Sequence, residues 1–308
     1  MSDIFIGIDV GGTNFRLGVV QDLRVIWEKR FPADFSGVCR RQSAAEALET
    51  ITATLNDAVS EARAAYPVIR AIGIGFPGFI APSTKHVISS PNLPHLSNAD
   101  IVTPLERRTG LSVALENDAS AAAYGEFVLS PQSNGDLIYL GLGTGVGGGL
   151  VLQGKLHGGV HGVAMEIGHL TVERGGRLCG CGNRGCLEQY ASTNGVVQTY
   201  AELTGKTLSA YDIAQAAQQK ENVAISAFER AGEYLAGALA HIAKVVDVSD
   251  VVIGGGMSAS WSLMQVTFER RLSEDLIPAL RGKVKVRLSQ AQDQAGIIGA
   301  AMLAGRQG

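Results

Sequence analysis

The chain has 308 residues, 46% of them hydrophobic and 18% charged, enough apolar material for two domains of roughly 150 residues each, which excludes intrinsic disorder. A formal net charge of −3, from 26 basic and 29 acidic residues, leaves no basic excess to release counterions from phosphates, so no nucleic-acid partner is expected. The 39 glycines are about twice the usual share and follow no collagen-like period, so they mark tight turns and close backbone approaches.

In chain order, residues 4–10 and 15–20 read as two apolar strands joined by the turn Gly11-Gly12-Thr13-Asn14. Met1-Ser2-Asp3 runs straight into the first strand with neither a basic nor an apolar leader region, so no secretory signal is expected. Helical spacing of Ala47, Leu48, Ile51, Leu55, Ala58 and Val59 predicts a helix over 43–65. Residues 71–76 form a short buried strand stopped by Pro77-Gly78, and Pro91-Asn92-Leu93-Pro94 is a loop. A strand at 112–116 is followed by an Ala-rich helix at 118–129, which Asp118 is placed to N-cap.

Residues 137–152 repeat the opening pattern of strand, glycine turn with threonine, and strand, which points to an internal duplication. The segment from 186 to about 243 is mostly helical. Val251-Val252-Ile253 is a buried strand leading through Gly254-Gly255-Gly256 into a new helix, and 284–288 and 294–306 give a last strand and a closing helix. The uncharged stretches 137–154 and 251–268 are broken by glycine and serine and make no credible membrane span. A domain boundary is expected near residue 116, and with it a membrane-free, cytoplasmic protein.

Three constellations carry chemistry. The first comprises the glycine turns. Backbone N–H groups at Gly11, Gly12, Thr13 and Asn14 suit phosphate oxygens, and Asp9 at the preceding strand end suits Mg²⁺. A single such turn is more simply a tight hairpin, but Gly143-Thr144-Gly145 supplies a second, and the two can clasp a polyphosphate. Gly254, Gly255 and Gly256 offer a flat, Cβ-free surface for a nucleoside. None of these has the dinucleotide spacing, so a phosphate-donor nucleotide such as ATP is favoured over NAD. Thr204-Gly205-Lys206-Thr207 imitates the end of a P-loop, but Tyr200 stands where its glycine belongs and a helix precedes it.

The second constellation is His169 with Cys179, Cys181 and Cys186. Three thiolates and one imidazole close a tetrahedral Zn²⁺ shell with no open position, the structural kind of site; a Cys-x-Cys redox pair is the lesser alternative. The third is the polar set Asn92, Asn117, Asp118, Glu166, His169 and Glu188. Carboxylates and amides of this kind suit the neighbouring hydroxyls of a sugar, although singly Asp118 also serves as a helix cap, Glu188 as an acid near a helix start and Asn92 as a turn residue.

Taken together, DVGGTN at 9–14, LENDASAAAYGE at 115–126, LGTGVGGG at 142–149, EIGH at 166–169, CGCGNRGCLEQYAS at 179–192 and VVIGGGMS at 251–258 resemble the ROK family of bacterial sugar kinases and repressors. The resemblance implies an actin-like ATPase (ribonuclease H-like) fold of two duplicated α/β domains with a cleft between them: a small domain at 1–116 with a returning helix at 294–308, and a large domain at 117–293. It implies ATP, Mg²⁺ and structural Zn²⁺ as cofactors, a homodimer, and a small-molecule sugar with ATP as the only substrates. By the same likeness Asp118 is the base for the sugar 6-hydroxyl, and Gly78, Asn92, Asn117, Glu166, His169 and Glu188 contact the sugar. His169 divides its ring nitrogens between zinc and sugar. Asp9, both glycine turns and residues 254–256 hold MgATP.

Glucose is the expected substrate, with allose, an N-acetylhexosamine or fructose as alternatives. Met165 stands where many members have glycine, and His161 where glucokinases commonly have asparagine. The loop Pro91-Asn92-Leu93-Pro94-His95 also lacks an aromatic common in glucokinases and looks closer to allose kinases. A sugar-sensing repressor is the reading of a different class; with the first strand starting at Ile4, there is no room for the helix-turn-helix such proteins carry.

Overall fold

The computed structural model describes residues 3–130 and 135–306. Met1-Ser2 of the expected leaderless start and the last two residues of segment 294–308 lie outside them. Two compact units divide the chain. The first comprises Met1–Gly135, Gly149–Ala164 and Gln290–Gly308, and the second Asp136–Gly148 and Met165–Ser289. Residues 117–135 thus fall in the first unit.

The chain opens with strands β1 (Ile4–Val10), β2 (Asn14–Gln21) and β3 (Arg24–Pro32), then helices α1 (Phe35–Arg41) and α2 (Ala44–Ala65). Strands β4 (Ile69–Phe76), β5 (Phe79–Ile80), β6 (Val87–Ser89) and β7 (Ser97–Ala99) precede α3 (Val102–Thr109), β8 (Ser112–Asn117) and α4 (Asp118–Leu129). Next come β9 (Leu137–Leu142), β10 (Val146–Leu152) and β11 (Lys155–Leu156), then α5 (Glu188–Ala191), α6 (Thr193–Thr204), α7 (Ala210–Gln218) and α8 (Asn222–Val246). The last elements are β12 (Asp250–Gly254), α9 (Gln265–Asp275), β13 (Lys285–Leu288) and α10 (Ala295–Ala304).

One sheet has the order β3-β2-β1-β4-β8 and another the order β11-β10-β9-β12-β13. In the first, β1 pairs antiparallel with β2 and parallel with β4. In the second, β12 lies parallel to both β9 and β13, and β10 antiparallel to β11. The same order and sense recur, which is the duplication expected from the two glycine turns. A small sheet β5-β6-β7, unforeseen from sequence, carries the loop that contains Asn92.

The first core gathers Ile6, Ile8, Phe15, Ile51, Leu55 and Ile74, each almost wholly buried, between sheet and helix α2. Helix α2 starts in a reciprocal capping box: the Ser43 hydroxyl accepts from Glu46 N, and the Glu46 carboxylate accepts from Ser43 N. Glycine explains how α10 sits down on this sheet. A Cβ at Gly7 or Gly73 would run into the Ile297 or Ala300 carbonyl, and one at Gly299 into the Ala121 carbonyl of α4. Two elements differ from expectation. The cap of α4 is Asn117, whose side chain accepts from Ser120 N, and Asp118 is the first helical residue. The helix after Gly254-Gly255-Gly256 begins as a 3-10 segment, Gly256–Leu263, before α9.

Candidate functional site

In the first unit the turn between β1 and β2 is closed by Gly11 N donating to the Asn14 carbonyl (2.9 Å). The carbonyls of Gly12 and Thr13 accept from Ser36 N and Ala33 N, both at 3.0 Å, so the turn is clamped from the α1 side. Asp9, the penultimate residue of β1, stands directly opposite Arg16 on β2, and the Arg16 guanidinium reaches its Oδ2 at 2.9 Å. Arg16 also donates to the Asp293 carbonyl and lies 3.8 Å from Glu28. Gly296 in the first turn of α10 has its Cβ direction 3.2 Å from the Asp9 carboxyl carbon, so the acid is enclosed by both elements.

The β8–α4 corner is built by one amide. Asn117 Oδ1 accepts from Ser120 N at 3.0 Å, while its Nδ2 donates to the Gly78 carbonyl at 3.1 Å. Gly78 has φ +130°, and a side chain there would strike the Ser89 carbonyl and Ser90, so only glycine permits this approach. Asp118 follows, with Oδ1 accepting from Ala119 N at 2.8 Å. Burial raises the Glu116 carboxyl above the ordinary range, opposed by the Asn117 N–H that it accepts and by Lys85 nearby. Asn92 is exposed, and its main-chain carbonyl accepts from the Ser36 hydroxyl at 2.6 Å.

In the second unit the turn Gly143-Thr144-Gly145 is closed by Gly143 N donating to the Gly145 carbonyl (2.9 Å), and the Gly143 carbonyl accepts from Thr193 N (2.8 Å). Glu188, first residue of α5, accepts from Val146 N through Oε2 at 3.2 Å. A Cβ at Gly145 would overlap that carboxylate. The short 3-10 turn Ile167–His169 sits against the same hairpin, because Gly168 has no side chain to meet the Val146 carbonyl. Glu166 Oε2 lies 3.9 Å from His169 Nε2. Burial pushes the Glu166 carboxyl up, His169 draws it down, and Glu188 adds to the rise. Met165 occupies the left-handed region at φ +67°, the conformation that glycine adopts without strain.

His169, Cys179, Cys181 and Cys186 bring their donor atoms within 4.8 Å of one another. His169 Nδ1 faces Cys179 Sγ at 3.7 Å, and Cys181 Sγ faces Cys186 Sγ at 3.7 Å. A tetrahedral ion with Zn–S bonds of about 2.3 Å needs sulfur–sulfur edges of about 3.8 Å, so the knot has the size that Zn²⁺ requires. Burial and the two neighbouring thiols push Cys186 up to about 12. Three adjacent thiols with no countercharge resist ionising together, and a dication is what allows it. The donor set therefore fits zinc.

Of the third glycine run, Gly256 alone has open space where a Cβ would point. Gly254 is closed by the Tyr139 ring and Gly255, at φ +81°, by the Leu142 backbone. Three further residues shape the site: Arg16, Ser36 and Arg177. Arg16 was detectable, since a four-residue turn between antiparallel strands sets 16 opposite 9. Ser36 and Arg177 gave no signal. Arg177, with 7% of its side chain exposed, bonds Glu202, Thr199 and the carbonyls of Gln189 and Gly195, and lies over the Tyr190 ring. It ties the cysteine knot to α6.

A duplicated strand order, paired glycine turns and a Cys₃His knot together define an actin-like ATPase fold of the sugar-kinase type. The chain belongs to the ROK family, whose sequence pattern matches residues 5–307. It is 32% identical to the glucokinase of Thermotoga maritima, over 97% of this chain and 96% of that one. It is 33% identical to the N-acetyl-D-glucosamine kinase of Citrobacter koseri, over 97% and 99%. The ROK glucokinase of Streptomyces griseus, solved with glucose and AMPPNP, superposes with a TM-score of 0.82 at 32% identity, covering 99% of this chain and all of that one. No helix among the described residues is long and apolar enough to cross a membrane.

Proposed function

We propose that this protein is an ATP-dependent hexose kinase that transfers the γ-phosphate of ATP to the 6-hydroxyl of an aldohexose, with glucose as its substrate. The observation that carries the reading is the β8–α4 corner. Asn117 uses both ends of its amide to lock the corner onto Gly78, which fixes Asp118 as the first residue of α4, a held position of the kind a base for a bound hydroxyl needs. The similarity to the Streptomyces griseus glucokinase, which was solved with a sugar and an ATP analogue, supports the same reaction.

In this reading Gly78, Asn92, Asn117, Glu166, His169 and Glu188 are the residues that serve the sugar hydroxyls. The 6-oxygen attacks the γ-phosphorus, the bond from that phosphorus to the β,γ-bridging oxygen breaks, and the Asp118 carboxylate takes the hydroxyl proton as the new bond forms. The turns at 11–14 and 143–145 bind the phosphates through their amides, and Gly254, Gly255 and Gly256 border the nucleoside. Mg²⁺, when bound, neutralises charge on the phosphates; with Asp9 Oδ2 engaged by Arg16, Oδ1 is the atom for a hydrated ion. Cys179, Cys181, Cys186 and His169 Nδ1 would hold zinc, leaving His169 Nε2 on the side of Glu166; the ion would supply orientation of the imidazole rather than chemistry.

The Citrobacter koseri relative favours a second reading, in which an N-acetylhexosamine is the acceptor. ADP release with MgATP, across glucose, N-acetylglucosamine, N-acetylmannosamine, allose, mannose and fructose, decides between them. Glucose is expected to give the highest kcat/KM. ADP release that is equal with and without every sugar sinks the kinase reading. A cytoplasmic homodimer is the inferred state, and sedimentation of the purified protein at twice the chain mass is its check.

A further inference from the structure

We propose that Ser36 is a positioning residue that couples the sugar loop at Asn92 to the first glycine turn, so that sugar and nucleotide assist each other's binding. The proposal rests on the kinase reading above. Ser36 lies in the first turn of α1 and bonds in two directions. Its N–H donates to the Gly12 carbonyl at 3.0 Å, and its hydroxyl donates to the Asn92 carbonyl at 2.6 Å. No other side chain among the described hydrogen bonds joins the 11–14 turn region to residues 90–96.

Glycine at 12 clears the space. A Cβ there would lie 2.7 Å from the Ser36 Oγ, so any other residue would push the hydroxyl off its bond. Ala33 N, donating to the Thr13 carbonyl, gives the same segment a second grip on the turn. On the far side, the loop is anchored from within by Leu93 and Leu96, both buried. Its two internal bonds, Leu93 N to Ser90 O and Leu96 N to Leu93 O, are long at 3.2 and 3.3 Å. The placement of Asn92 therefore depends on Ser36 from outside the loop. Because Ser36 engages the main-chain oxygen, the Asn92 amide is not spent on this link.

In the second unit the link is direct, because the side chain that meets the turn region is itself a proposed sugar residue. There Glu188 accepts from Val146 N beside the second turn, and glycine at 145 makes the room. Each half thus joins its glycine turn to a proposed sugar residue through one side chain, with a glycine cleared beneath it. A phosphate that orders the 11–14 turn also orders Ser36, and the sugar then meets a loop whose ordering cost is already met. By linkage the sugar strengthens nucleotide binding by the same factor.

The test measures glucose dissociation constants with and without saturating Mg-AMPPNP, and the AMPPNP constant alone, for wild type, S36A and S36T. In wild type the glucose constant should fall about five-fold or more when AMPPNP is present. S36A should bring that ratio to within about two-fold of unity, with AMPPNP binding alone changed less than about two-fold. S36T, which keeps the hydroxyl, should restore the ratio. A loop that is merely structural would weaken glucose equally in both conditions and leave the ratio unchanged. That result, or a wild-type ratio near unity, overturns the proposal. If S36A does not fold, S36C replaces it, keeping the volume with a weak donor. Wild type that phosphorylates glucose while S36A keeps its ratio refutes Ser36 alone. Wild type that neither binds nor phosphorylates glucose refutes the kinase reading and, with it, this one.

Discussion

At Asp118 the chemistry rests on one proton acceptor, so Asp118→Asn tests it with little change of shape. General-base assistance is typically worth about 10²–10⁴-fold in rate, and kcat should fall by that factor with KM for sugar nearly kept. Turnover unchanged in the variant would remove Asp118 from the mechanism. Two residues earlier, Glu116 presents a stability question. Burial raises its carboxyl in the folded state, so between the ordinary carboxylate range and that raised value the folded chain binds more protons than the unfolded one. Stability must then fall as pH rises through that window. Glu116→Gln keeps an acceptor for Asn117 N and removes the charge. Urea midpoints from pH 4 to 8 should show the variant more stable than wild type at pH 7 and without that part of the slope. A wild type and variant with parallel profiles would show that Glu116 is solvated after all.

Among the elements, the cysteine knot is where local sequence and local structure agree most closely, because three thiols in eight residues leave little else for the chain to do. Purified protein should hold one zinc per chain, measured by mass spectrometry of the intact protein and by a chromogenic chelator. Removal of the metal should lower the thermal midpoint and abolish turnover, since closed Cys₃His sites contribute folding energy outright. A chelated protein with an unaltered melt would rule out a structural metal.

The glycine turns, the long helices and the parallel strands were equally legible, because period and punctuation are local signals. What stayed hidden is long-range. The sheet β5-β6-β7 has strands of two or three residues, too short to carry a period. Strand β3 has no fully buried residue, and the run Glu28-Lys29-Arg30 breaks any apolar alternation. Of the site, Arg16 follows from hairpin register, but Ser36 is singled out by contacts distant in sequence, with the Gly12 carbonyl and with Asn92, 56 residues away. The cap of α4 is Asn117 rather than Asp118, since Asn and Asp cap comparably and sequence does not choose between neighbours.

At the scale of the whole molecule, glycine sets how closely helices approach. The Gly299 backbone lies so near the Ala121 carbonyl that a methyl group has no room. Overpacking of this kind commonly costs about 1–3 kcal/mol, and a clash with main chain falls at the top of that range, so Gly299→Ala should lose about 3 kcal/mol in urea unfolding. Gly110→Ala is a useful contrast: a Cβ there meets nothing, but φ is +69°, so its loss reflects backbone strain alone, about 1 kcal/mol. Equal losses for the two would show that α10 is free to shift away from α4.

The seating of α10 also has a consequence for the order in which the chain is made. Strands β1 and β4 are synthesised more than two hundred residues before the helix that fills the grooves at Gly7 and Gly73, which begins at Ala295. Domains usually fold as they emerge, N-terminal first. Here the second unit, whose segments end at Ser289, is fully exported before the first unit can close. Until α10 is made the earliest strands have one face uncovered, which is the interval when a nascent chain is most open to chaperones and to aggregation.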